Sequence, residues 1–377
     1  MLSWLREMFE FVKDHRTHKV IVQALCVIAF MNLTGLLLYI NVNSITLYRQ
    51  ILKLDSLISN SLHANNMTNH IFVSFNVSFT TAAKQKTYMS SNTQVTAVPK
   101  IYTIDRPLIC DRCFDVKFEY LINNEHICIP NQESVKILLL ITSSPRNEFA
   151  RKTIRETWLT NTNHNKGRVR YVFLLGTSQN NEKIIKENEI TKDIILADFQ
   201  DAYSNLTLKT LMGFQWAINF CKTAQFIMKT VDDMYVNIPG LIMRITRNSE
   251  PLQTAVGGSC AVTASPIRDK RSKRYASIKS YPQETYPGFC SGMGYVTSMN
   301  VVSKVIKTSK NTPFFHLEDV YVSLCIRKLG YRLLPLKGFL HRLPLDPCLY
   351  KNNNLVTAHQ VPLEWMHQIY DKPCLNH

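Results

Sequence analysis

The chain has 377 residues, 45% hydrophobic and 19% charged, which excludes a largely disordered protein and suits one sizeable catalytic domain with accessory segments. Lysine and arginine number 44 against 28 acids, a formal charge of +16 that favours anionic partners. Lys270, Arg271, Lys273 and Arg274 form only a short cluster without interleaved aromatics, so nucleic acid is set aside in favour of diphosphate-bearing ligands.

Residues 1–19 carry Arg6, Lys13, Arg16 and Lys19, and the following stretch, 20–40, is almost wholly apolar and long enough to cross a bilayer as one helix. No small-residue cleavage site follows it. The pattern predicts a single membrane anchor with residues 1–19 cytoplasmic and the rest lumenal, although Arg49 and Lys53 dilute the charge contrast. Residues 41–130 lack a sustained period and read as a lumenal stem followed by a cysteine-containing transition. Asn66-Met-Thr, Asn76-Val-Ser and Asn205-Leu-Thr are glycosylation acceptor triplets, each of which also arises by chance.

Of ten cysteines, Cys26 lies in the anchor, leaving an odd number beyond it, so at least one thiol is free or pairs with another chain. A homodimer through a stem cysteine is one arrangement this count permits. Cys110, Cys113, His126 and Cys128 resemble a zinc site only in their C-x2-C start. The His-x-Cys closure is cramped, and disulfides are the expected use of these thiols in an oxidising lumen.

The texture changes at Val135, and residues 131–377 read as one catalytic domain. Val135–Thr142, Arg170–Gly176 and Asp193–Phe199 are apolar runs that predict buried parallel strands. Asn205 is placed to cap a helix over Leu206–Cys221, and Gly330 to stop one over Leu317–Leu329. Strands alternating with helices predict an α/β fold with a mostly parallel sheet.

Phe226–Asn237 reads as a buried strand carrying Asp232 and Asp233 to its carboxyl end, where open α/β sheets bind ligands. Adjacent acids are most often solvated turn residues. Here a divalent metal on oxygen ligands would neutralise them and clamp a diphosphate. Lys229 precedes them and is placed to pair with them. Arg151 and Arg155 lie at i and i+4 on the helix after the first strand, where guanidinium forks suit phosphate oxygens; surface pairing with Glu148 or Glu156 is the plainer alternative. Tyr286 to Tyr295, with Gly288, Gly292 and Gly294, has the close backbone path and aromatic faces of a sugar-binding wall, although core packing explains most such aromatics.

Six blocks occur in order: Arg151–Trp158, Val172–Gly176, Asp198–Thr210, Lys229–Asn237, Tyr286–Val296 and Glu318-Asp-Val320. Together they resemble the β-1,3-galactosyltransferase family, which also contains β-1,3-N-acetylglucosaminyltransferases. The resemblance implies a type II Golgi enzyme of GT-A fold with a UDP-sugar donor, a glycan acceptor, Mn2+ and inversion at the anomeric carbon. It makes Asp233 and His359 metal ligands, with His316 and His341 as alternatives to the latter. Asp232 would orient the ribose or a metal-bound water, and Asp319 would be the general base, with Glu318 as substitute. Val231 stands where the family carries the first of three acids. The expected activity is galactose transfer to a sugar 3-hydroxyl. N-acetylglucosamine transfer, or a silent Golgi glycan-binding protein lacking that acid, are the alternatives.

Overall fold

The computed structural model describes residues 117–129, 134–340 and 347–371. The anchor at 20–40, most of the stem, Asn66, Asn76, Cys110, Cys113 and His341 lie outside the described residues. No helix among the described residues is long and apolar enough to cross a membrane.

The strands are β1 (Tyr120–Ile122), β2 (Ile137–Thr142), β3 (Val169–Thr177), β4 (Ile194–Gln200), β5 (Phe226–Val231), β6 (Met234–Val236), β7 (Ala255–Ala264), β8 (Tyr286–Ser298), β9 (Arg332–Pro335) and β10 (Thr357–His359). The helices are α1 (Glu148–Glu156), α2 (Glu182–Thr191), α3 (Leu206–Phe220), α4 (Ile238–Arg247), α5 (Met299–Ser309), α6 (Glu318–Lys328) and α7 (Leu363–Asp371). Eight strands form one sheet in the order β1-β4-β3-β2-β5-β8-β7-β9, and β6 pairs with β10 separately. Strands β4, β3, β2 and β5 are mutually parallel, whereas β8 runs against β5 and β7, and β1 against β4. The sheet is therefore mixed, with a parallel run β4-β3-β2-β5 at its centre.

The continuous apolar run of β2 is fully buried because a neighbour strand flanks it on each side and helices cover both faces. Alternate residues feed two cores. Leu138 and Leu140 face the cluster built with α3, α5 and α6. Ile137, Leu139 and Ile141 face the one built with α1, α4 and α7. Truncating Leu140, wholly buried there, would cost about 2–5 kcal/mol. Helix α3 sits so close that a Cβ at Gly213 would lie 2.3 Å from Leu174 Cδ1.

Several expectations need adjusting. The run 226–237 is not one strand: β5 ends at Val231, Asp232 and Asp233 form a turn, and the chain re-enters as β6. The body also begins before residue 131, since β1 pairs with β4 and Asn124 Nδ2 donates to Ile194 O (2.7 Å). Asn205 occupies the cap position of α3 without a cap hydrogen bond. Its Nδ2 instead donates to Gln200 O (2.8 Å), and the residue is 3% exposed, so this triplet is closed to glycosylation in the folded chain. Gly330 does end α6 in the left-handed region, at φ 68°.

Disulfides join Cys128 to Cys221 and Cys260 to Cys290, which removes Cys128 from any zinc site; Cys325 is a buried thiol.

Candidate active site

The chain leaves β2 for β3 on one side and later returns from β4 to β5 on the other. This reversal falls between β2 and β5, and the carboxyl ends of strands at such a switch point are where open α/β sheets hold ligands. Thr142 lies opposite Val231 in the ladder, so the residues that follow each strand meet. Ser143 Oγ donates to Asp232 Oδ2 (2.6 Å), and Asn147 Nδ2 donates to the same oxygen (2.8 Å). Burial pushes the Asp232 carboxyl above its ordinary range and Asp233 adds to this, while Ser143, Asn147 and Lys209 oppose it.

Beneath Ser143 lies a buried cation. Lys209 Nζ, from α3, donates to Ser143 O (2.6 Å) and pairs with Asp201 Oδ2 (2.7 Å). Burial pulls this amine below the usual lysine range, and Asp201 opposes the pull. Asp201 Oδ2 also accepts from Gly176 N (2.8 Å). Ser143, Asn147, Asp201 and Lys209 escaped the sequence reading. The one local signal was a lysine beside the apolar positions Leu208, Leu211 and Met212; strand order was needed to place the rest.

Asp233 differs from its neighbour: its side chain is 53% exposed. Antiparallel pairing of β6 with β10 sets His359 opposite Met234 and brings His359 Nε2 to 3.2 Å from Asp233 Oδ2. Gln360 N then donates to the Asp233 carbonyl (3.1 Å). The two residues expected to share a metal are thus adjacent. Among the described residues no group of three or more His, Cys, Asp and Glu side chains is placed to hold a metal. One exposed carboxylate and one imidazole, with Asp232 occupied by Ser143 and Asn147, suit a cation that fills its remaining positions with water and phosphate oxygens. His316 sits elsewhere, buried against Phe315, and burial pulls it below the ordinary histidine range.

Lys229 does not pair with Asp232 or Asp233. Its wholly buried Nζ donates to Glu318 Oε2 (3.0 Å) and to Gly292 O (2.5 Å). Tyr295 Oη donates to Glu318 Oε1 (2.6 Å), and Glu318 is 2% exposed. Burial raises the Glu318 carboxyl and Lys229 opposes this. Glu318 is therefore enclosed, held between Lys229 and Tyr295. Asp319, next in α6, is half-buried, with Oδ2 accepting from Gly292 N (3.2 Å) and Oδ1 from Val320 N (2.9 Å). Gly292 is required here, since a Cβ would lie 2.5 Å from Glu318 Oε2.

The guanidinium groups expected at phosphate are engaged by acids instead. Arg151 is buried, its Nε 2.9 Å and Nη2 2.5 Å from the two Glu187 carboxylate oxygens, while Nη1 donates to Ser143 Oγ (3.0 Å). Arg155 forks onto Asp193 at 2.8 Å, reaches Glu187 and lies over the Phe173 ring. Arg151 ties α1 to α2 and to the residues after β2, and Arg155 ties α1 to α2 and the start of β4, so their partners are Glu187 and Asp193 and not Glu148 or Glu156. Tyr286 packs among Tyr281, Phe289 and Phe315 in the core, and Tyr295 is sealed on Glu318. Of the expected sugar wall, Gly292 alone adjoins Asp319.

Residues 149–336 match the sequence profile of the family described as Galactosyltransferase. The chain is 40% identical over 259 residues to mouse and to human beta-1,3-galactosyltransferase 1, covering 67% of this chain and 78% of each relative. It is 42% identical over 199 residues to mouse beta-1,3-galactosyltransferase 5, covering 52% of this chain and 64% of the relative. Among solved structures, galactosyltransferase LgtC with donor and acceptor sugar analogues matches at 10% identity and a TM-score of 0.35, over 62% of this chain and 95% of that one. That structural likeness is too distant to carry weight.

Proposed function

Because this chain belongs to the β-1,3-galactosyltransferase family and is a glycosyltransferase, we propose that it moves galactose from UDP-galactose to the 3-hydroxyl of an acceptor glycan, with inversion. The observation that carries this reading is the pairing of solvent-open Asp233 with His359 at the end of β5, in the same sheet region as a half-buried Asp319. The acids therefore have unequal surroundings, which supports dividing metal binding and base catalysis between them.

Asp319 would accept the proton of the acceptor 3-hydroxyl as its oxygen bonds to the anomeric carbon. In the same displacement the anomeric bond to the diphosphate breaks, and UDP leaves with that electron pair. Such base catalysis contributes about 10²–10⁴-fold. Gly292 N holds one Asp319 oxygen in place, and Lys229 keeps Glu318 from competing for the role. Asp233 and His359 would hold Mn2+, with Asp232 shaping the nucleotide side. A bound divalent cation supplies charge neutralisation of the leaving diphosphate.

On this reading the mixed sheet is GT-A-type, and the apolar stretch 20–40 anchors a type II protein in the Golgi with residues 131–377 lumenal. Two disulfides among the described residues support an oxidising compartment. The test is calorimetric titration of UDP into the full chain in detergent, with Mn2+ and then with chelator, followed by UDP-galactose and UDP-N-acetylglucosamine turnover. Metal-dependent UDP binding and galactose transfer are expected. A folded chain that binds no UDP would defeat the reading and leave a non-catalytic glycan binder.

A further inference from the structure

The segment joining β7 to β8, residues 265–285, is basic and well built. Arg268 donates to the carbonyls of Ala276, Tyr281 and Gln283 at 2.8, 2.8 and 3.0 Å. Ala276 N donates to Ile267 O (2.9 Å), and the Cys260–Cys290 disulfide ties the flanking strands. Arg271 is neutralised by Asp269 at 2.9 Å. Lys273 and Arg274 are exposed cations with no carboxylate partner among the described residues.

Their position gives them meaning. Lys273 Nζ lies 5.2 Å from the centre of the Tyr203 ring, which is 41% exposed at the turn before α3. Thr207 Oγ1, at the start of α3, donates to Phe315 O (2.7 Å), which holds the turn carrying Tyr203 against the residues that lead into α6 and Asp319. A half-exposed aromatic face at the foot of α3 thus meets a pinned loop that brings Lys273 to it, with Arg274 next in the chain. An acceptor sugar offered to Asp319 would lay its C–H face on Tyr203. A substituent on that sugar would meet Lys273 and Arg274.

We propose that Tyr203, Lys273 and Arg274 form an acceptor subsite that selects a sugar bearing an anionic oxyacid group, such as a sulfate. This rests on the transferase reading, because it takes Asp319 as the place where the acceptor hydroxyl arrives. The cations are aimed at the acceptor rather than at the donor diphosphate, which the Asp233–His359 pair would serve. A preference on the order of tenfold is expected from two charge-assisted contacts at a partly exposed site.

The test uses the full chain in detergent with benzyl β-N-acetylglucosaminide and its 6-O-sulfate. Binding is measured directly in the presence of UDP and Mn2+, and turnover from UDP-galactose is measured alongside. Wild type should prefer the sulfated sugar about tenfold, and K273Q/R274Q should bring the two within about twofold. Lys183→Gln with Lys186→Gln, which lowers the net charge equally on exposed α2, should keep the preference. Equal binding of the two sugars by wild type would overturn the subsite. So would a K273Q/R274Q loss confined to UDP affinity, which would assign the cations to the donor. If neither sugar binds although UDP does, the subsite fails while donor recognition stands; if UDP also fails to bind, the transferase reading fails with it.

Discussion

Glu318 and Asp319 are neighbours in the chain with opposite surroundings. Glu318 is sealed on Lys229 and Tyr295, whereas Asp319 is half-buried with one oxygen on Gly292 N. Helix geometry separates consecutive side chains by about 100°, so two adjacent acids in a first turn need not share a fate. Asp319→Asn keeps the shape and removes the proposed base. Turnover should fall by about 10²–10⁴-fold, with UDP affinity by calorimetry unchanged. Retained turnover would remove Asp319 from the mechanism.

Lys229→Met leaves the Glu318 carboxylate buried without its cation. Removing one partner of a buried pair costs about 3–5 kcal/mol, so the denaturant midpoint should drop sharply. Adding Glu318→Gln should recover much of that loss. A single variant as stable as wild type would show that the pair contributes little.

Asp233→Ala and His359→Ala should each weaken Mn2+-dependent UDP binding while leaving the melting temperature near wild type, because Asp233 is exposed and β10 pairs through backbone. Undiminished metal dependence in both variants would place the cation elsewhere.

The Asp232 carboxyl is raised in the folded state, so the fold binds its proton more tightly than the unfolded chain does. Its contribution is fully present below the unfolded value near 3.8 and is lost as pH rises through the folded value. Wild-type stability relative to Asp232→Asn should therefore decline over that window, as followed by denaturant midpoints. A relative stability that rises with pH would reverse the sign argued here.

Val231 is half-buried and packs against the core on the α1 and α4 side. Asp there would set a third carboxylate beside Asp232 and Asp233 and desolvate it. A loss of about 1–3 kcal/mol in stability is expected, measured by thermal unfolding. A stability equal to wild type, with tighter Mn2+–UDP binding, would show that the position faces the metal.

Much of the scaffold was legible because buried parallel strands announce themselves as apolar runs: β2, β3 and β4 lie within a residue or two of their expected limits. Gly330 was legible because only one backbone region suits a residue that ends a helix there. The partners of charged residues were not. Lys229 and the two arginines read as donor-side cations in the sequence, yet their carboxylate partners are Glu318, Glu187 and Asp193, distant in sequence and brought near by strand order. Ser143 was invisible for the same reason: its meeting with Asp232 depends on β2 lying beside β5. Tyr286 misled because an aromatic beside glycines looks the same whether it faces a sugar or a core.

The Cys260–Cys290 bond spans 30 residues and closes the basic loop at its root. A flexible arm must lose chain entropy each time it grips a ligand, and that loss subtracts from affinity. Here the covalent ring makes much of that sacrifice once, during oxidative maturation. Protein matured under reducing conditions would carry the same charges on a looser arm, so the proposed preference for a sulfated acceptor should fade even where the fold survives.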